Sequence, residues 1–157
     1  MKKSTESSQK RIRKLKIDIY LPIIKHILKV TGITARWSIK GELHDGQLCW
    51  WADIDNQEVV IPEPITTYKF MVCLHEIGHV IQGSRKLYHM QELVAEEWAL
   101  NTAKRFGITM VTVYKKKAAQ FLLRYVKDDI NAGLVDRKKI NKKVRRFITK
   151  NGQKYEV

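Results

Sequence analysis

With 157 residues, 44% of them hydrophobic, the chain is large enough for one domain with a genuine core and too short for several. The net charge of +14 is uneven: residues 1–16 carry seven Lys/Arg against one acid, residues 17–99 seven against eleven, and residues 100–157 sixteen against four. No apolar run reaches membrane length, because "IDIYLPIIKHILKV" is broken by Pro22, Lys25, His26 and Lys29, and no secretory cleavage pattern follows the basic start. These features predict a soluble, cytoplasmic protein with no membrane partner. Cys49 and Cys73 lack CxxC spacing and read as free thiols of a reducing compartment.

Taken in chain order, residues 1–16 are polar, basic and aperiodic, the composition of a disordered tail. Ile17, Leu21, Ile24, Ile27 and Leu28 then recur at helical spacing and predict a helix over 17–30, with Pro22 acceptable only in its first turn. The runs "ARWSIKGEL" and "QLCWWADI", joined by "HDG" with its Asp45-Gly46 hairpin signal, and then "EVVIP", predict a small antiparallel sheet of three strands. Trp37, Trp50 and Trp51 fall in this sheet and read as packing residues rather than a stacking platform for bases.

A longer helix follows from Thr66 or Thr67 to Ile81, stopped by Gly83 and Ser84. Phe70, Cys73, Leu74, Ile77 and Ile81 share its packed face; Val72, His75, His79 and Gln82 share another, and Gly78 is expected to bring it close to the sheet. A loop over 84–90 leads to a helix over 91–106 ended by Gly107. Helices over 111–131 and 137–150 complete the chain, the last capped by Asp136. The fold class is α+β: a small sheet on a helical core with additional C-terminal helices. Residues 17–157 form one domain, basic and helical from about residue 109.

"HEIGH", residues 75–79, matches H-E-x-x-H. Residues four apart project from one helix face, so His75 and His79 can ligate one divalent ion while Glu76 serves as general base to a water. Chance would produce the pattern about 0.009 times in a chain of this composition, so the histidine pair is a motif and not an accident. A catalytic zinc takes a third protein ligand. The extended H-E-x-x-H-x-x-G-x-x-H form fails at Gln82 and Arg85, which leaves Glu92, Glu96 and His89. Of the two glutamates, one can bind metal while the other accepts from the free nitrogen of a ligand histidine.

"HEIGH" followed by "ELVAEEWALNTAKRFGI" resembles the gluzincin pattern H-E-x-x-H…E-x-x-A-D/N, and in particular the ImmA/IrrE family of small metallopeptidases. The resemblance covers residues 59–107. It implies a zincin-like fold, one Zn2+ held by His75, His79 and Glu92, Glu76 as base, and a protein or peptide substrate. Ala95 falls on the family's alanine, Glu96 on its Asp/Asn, and Trp98 and Ala99 on its F-A. Val94 replaces a second acid and Glu96 stands where Asp or Asn is usual, so Glu92 and Glu96 both stay open as ligands. In the family an edge strand before the metal helix pairs with extended substrate, and "EVVIPE", residues 58–63, occupies that place. The family's targets include DNA-binding repressors.

His89, ten residues after His79, lies near the third histidine of SprT-like proteases of DNA-bound proteins, the alternative enzyme reading. His89 or Tyr88 is also a candidate donor to an oxyanion. The basic ends attract nucleic acid or serve as solubilising charge. In the final helix Lys138, Lys142 and Arg145 form a basic stripe opposite Ile140, Val144, Phe147 and Ile148. A non-catalytic binding module with a structural metal, or none, is the reading outside the enzymes. Two histidines and a carboxylate also suit manganese.

Overall fold

Helix formation starts earlier than periodicity predicts. In the computed structural model, which describes residues 3–44, 47–109 and 112–156, helix α1 spans Lys3–Thr31. The segment 3–16 is therefore helical where composition predicts a structureless tail. It holds six Lys/Arg and no Gly or Pro, so a helix nucleated on the apolar periodicity further on propagates outward through it. Pro22 lies in the helix interior rather than its first turn. The missing donor leaves the Asp18 carbonyl without its intrahelical bond. Burial of Tyr20, Ile24 and Ile27 on one stripe offsets that loss, and Tyr20 stacks on Phe70 at 4.6 Å.

The sheet is mixed, not antiparallel as the sequence predicts. Strands β1 (Thr34–Trp37), β4 (Trp51–Asp53) and β5 (Glu58–Ile61) pair in the order β1-β5-β4, with β1 parallel and β4 antiparallel to β5. Between them β2 (Glu42–His44) and β3 (Gln47–Cys49) form a separate two-stranded antiparallel ladder. Each of the two long β-leaning runs is thus divided. Gly41 divides the first: its φ of +88° suits glycine, and a Cβ there would overlap the Cys49 carbonyl. The Asp45-Gly46 turn lies outside the described residues. The path over 38–57 carries the chain back to the start of β1, which makes parallel pairing possible. Val59, Val60 and Ile61 are fully buried, as expected of a strand paired on both sides.

Helix α2 (Thr67–Gln82) has the boundaries its signals predict. Thr66 Oγ1 accepts from the Lys69 amide at 3.1 Å, and the Gly83 amide donates to the His79 carbonyl. Phe70, Cys73, Leu74 and Ile77 are buried, but Ile81 is exposed beyond the core's reach. Helix α3 (Tyr88–Arg105) starts three residues before the predicted 91. Its N-cap, Leu87, supplies no side-chain bond; the Asp129 carboxylate of α4 (Thr112–Asn131) accepts from the Tyr88 and His89 amides instead. The predicted start of α4 at Val111 lies outside the described residues. The last predicted helix is a short 3-10 turn at Arg137–Lys139 followed by α5 (Lys142–Lys150). Asp136 caps the turn, and Asn141, whose side chain accepts from the Lys143 amide, starts the helix afresh.

Two apolar clusters result. The larger joins α1, the sheet, α2 and the second half of α3; the smaller joins Leu93 of α3 to Leu122 and Val126 of α4 and Val144 and Ile148 of α5. Helix α3 contributes to both. Among the tryptophans, Trp50 and Trp51 are half-buried, and Trp37 is 43% exposed rather than packed. Cys49 is half-buried and Cys73 buried, the latter donating from Sγ to the Pro62 carbonyl at 3.1 Å. Among the described residues, no helix is long and apolar enough to cross a membrane.

Candidate metal centre

Helices α2 and α3 approach closely because of Gly78. A Cβ at this position would lie 2.8 Å from the Ala95 carbonyl oxygen and 3.2 Å from its Cα. The glycine thus faces α3, where the sequence places it against the sheet. One turn of α2 on each side of this approach, and the first half of α3, converge on a single point.

There His75, His79 and Glu92 come together, the metal-capable group found among the described residues. The two Nε2 atoms lie 3.0 Å apart; Glu92 Oε2 is 3.2 Å from His75 Nε2, and Glu92 Oε1 is 3.4 Å from His79 Nε2. Ligand bonds of about 2.0 to 2.1 Å in a tetrahedral site give edges of about 3.3 to 3.4 Å. Each of the three contacts is within a few tenths of an ångström of such an edge, the two to Glu92 being made through different oxygens, Oε2 to His75 and Oε1 to His79. Two imidazole nitrogens and a carboxylate are also the donor types a borderline cation takes.

Glu96, the alternative ligand, occupies a different place. Its Oε2 is 3.2 Å from His75 Nδ1 and accepts from the Tyr114 hydroxyl at 2.7 Å. With a cation bound, this carboxylate would accept a hydrogen bond from the Nδ1 proton and leave Nε2 to the metal. His89, the third candidate, is not in the cluster. It is 1% exposed, with Nδ1 2.6 Å from Asp129 Oδ2, so its ring joins α3 to α4. It is neither in the metal-capable group nor among the residues lining the cleft; Tyr88, exposed, borders the cleft.

From the side chains alone the electrostatics are opposed. Burial pulls His75 down, but the hydrogen bonds with Glu92 and Glu96 outweigh it and raise His75 well above the ordinary histidine range. Burial, aided by the His75 charge, lowers His79 to about 4. Glu92 is held low despite burial by its hydrogen bond and charge contact with His75. Burial pushes Glu76 up to about 8. Buried polar atoms unpaired here, His79 Nδ1 and Glu96 Oε1, mark a site whose protein partners do not use all its bonding capacity.

The cluster forms the floor of a cleft of about 610 Å³. Glu76 lines it beside the histidines, β4 contributes Trp51 and Ala52, and α4 contributes Lys117 and Tyr125. The sequence reading missed the part played by α4. Tyr114, Ala118 and Tyr125 fall on one helical stripe, and Asp129 continues the buried series Ala119, Leu122 and Val126. An acid on an apolar stripe was the readable signal that a buried partner existed. "EVVIPE" is not an edge, since β5 is paired on both sides; the edge strands are β1 and β4, and it is β4 that lines the cleft. No protein-family model, curated protein or solved structure matches the chain.

Proposed function

We propose that the protein is a zincin-like metallopeptidase of the kind its motifs resemble, the ImmA/IrrE family, with His75, His79 and Glu92 as ligands and Glu76 as general base. The observation that carries this reading is the convergence of three metal-capable side chains, their donor atoms within 4.8 Å of one another, in a cleft that Glu76 also lines. A divalent cation in that place supplies a Lewis acid for a carbonyl, lowers the pKa of water toward about 7, and offsets the burial that pushes Glu76 up. Glu76 accepts the proton of the attacking water and returns it to the leaving amine. Glu96, itself held by Tyr114, keeps the His75 ring oriented throughout.

Substrate backbone pairs with the free edge of β4, and side chains enter the aromatic and apolar walls of the cleft. Zinc fits the donor set and its spacing. Glu92 is favoured over the His89 of the SprT-like reading because it, and not His89, stands in the group of donors. To test the proposal, purified wild type and Glu76→Gln are compared for zinc content and for cleavage across a mixed peptide library. The variant is expected to retain about one zinc and wild-type helicity while cleavage falls at least about 100-fold, the scale of a lost general base. Equal cleavage by both proteins, or none by zinc-loaded wild type on any peptide or protein offered, sinks the peptidase reading.

A further inference from the structure

Helix α5, whose Phe147 lines the cleft, and the turn before it carry a concentration of charge that the metal centre does not use. Residues 137–154 include nine Lys/Arg, and the only acids over 130–156 are Asp136 and Glu156. Asp136 is engaged in capping the 3-10 turn. Arg145, expected on the basic stripe, instead donates to the Arg137 and Lys138 carbonyls and lies over the Tyr155 ring. The exposed stripe is Lys142, Lys143, Arg146 and Lys150, opposite the buried Val144 and Ile148. Among the described residues none of these four forms an ion pair, so their charges are uncompensated.

We infer that this stripe is a docking surface for the phosphate backbone of duplex nucleic acid, read without regard to sequence. From Lys142 to Lys150 the helix rises about 12 Å, which spans three to four phosphates of one strand at about 3.4 Å each along the axis. Four cations thus face a comparable number of anions. An anionic membrane fits less well: the apolar face of α5 is buried in the smaller core, and none of the exposed large apolar residues falls within 137–156. A single strand fits less well too, because Phe147 and Tyr155 are half-buried and leave no exposed aromatic on which bases stack. The surface is independent of the metal centre and of its proposed activity.

The test is fluorescence anisotropy of a labelled duplex of about 20 base pairs, titrated with the full chain over a salt series. Wild type is expected to bind with a log K against log salt slope of at least about −3.6, in keeping with four phosphates at 0.9 each. The combined variant Lys142→Gln, Arg146→Gln, Lys150→Gln is expected to reduce that slope by about 2.7 while circular dichroism stays unchanged. A control, Lys104→Gln with Arg105→Gln at the far end of α3, is expected to leave the slope as in wild type. The proposal is overturned by no binding at low salt, by an equal slope in the triple variant, or by an equal loss in the control. Tighter binding to phosphatidylserine vesicles or to the single strand overturns the choice of duplex.

Discussion

His75 has a different partner at each ring nitrogen: Nε2 faces His79 and Glu92, and Nδ1 faces Glu96. The two glutamates, one helical turn apart, therefore do different work, and their substitution separates the roles. Glu92→Gln removes the only charged member of the donor set and is expected to lower zinc affinity more than about 100-fold. Glu96→Gln leaves the donors in place but loosens the ring, at the 10- to 100-fold scale of an outer partner. Competitive titration with a chelating dye measures both, and a larger loss in Glu96→Gln than in Glu92→Gln inverts the assignment. Spacing alone identified the histidine pair, because i and i+4 on a helix is a local rule. It left Glu92, Glu96 and His89 open because their ranking depends on Tyr114 and Asp129, residues of a helix whose docking no local pattern specifies.

Elements differ in how far the sequence disclosed them, for the same reason. Helix α2 was legible at both ends, since Thr66 and Gly83 act on amides and carbonyls within four residues. The parallel pairing of β1 with β5 was not, because it joins residues separated by three other strands, β2, β3 and β4. Likewise α1 extends beyond its periodic part, and periodicity marks only the face a helix buries. The packing of α2 on α3 turns on Gly78, where two effects compete in a Gly78→Ala variant. Helix propensity favours alanine by about 1 kcal/mol in an interior position. Against it, the Cβ would press at 2.8 Å on the Ala95 carbonyl, a backbone atom that cannot rotate aside. Overpacking of this kind costs about 1 to 3 kcal/mol, so the net expectation is destabilisation by up to about 2 kcal/mol. Separation of the helices also moves both histidines from Glu92, so zinc affinity falls with stability. Urea unfolding with and without zinc reads both quantities; a more stable variant with unchanged affinity would show that the close approach is not needed.

Across the whole molecule, α3 belongs to both apolar clusters, and the donors join its first half to α2. Helix α4 reinforces that junction at two places, through Tyr114 on Glu96 and through Asp129 on His89 and the first amides of α3. A cation bound by two helices is linked to folding, because the unfolded chain does not hold the three donors together. At a free zinc concentration about 100 times Kd, the native state gains about 2.7 kcal/mol. For a domain of this size each kcal/mol moves the midpoint by about 2 to 4 °C, so zinc is expected to raise Tm by about 5 to 11 °C. Removal with a chelator reverses the shift, and Glu92→Gln loses most of it. The same increment is expected in Glu76→Gln, since Glu76 is not among the three donors. That contrast separates the ligands from the base without reference to catalysis. A Tm indifferent to zinc in wild type would mean that the three donors, however close, do not hold the ion.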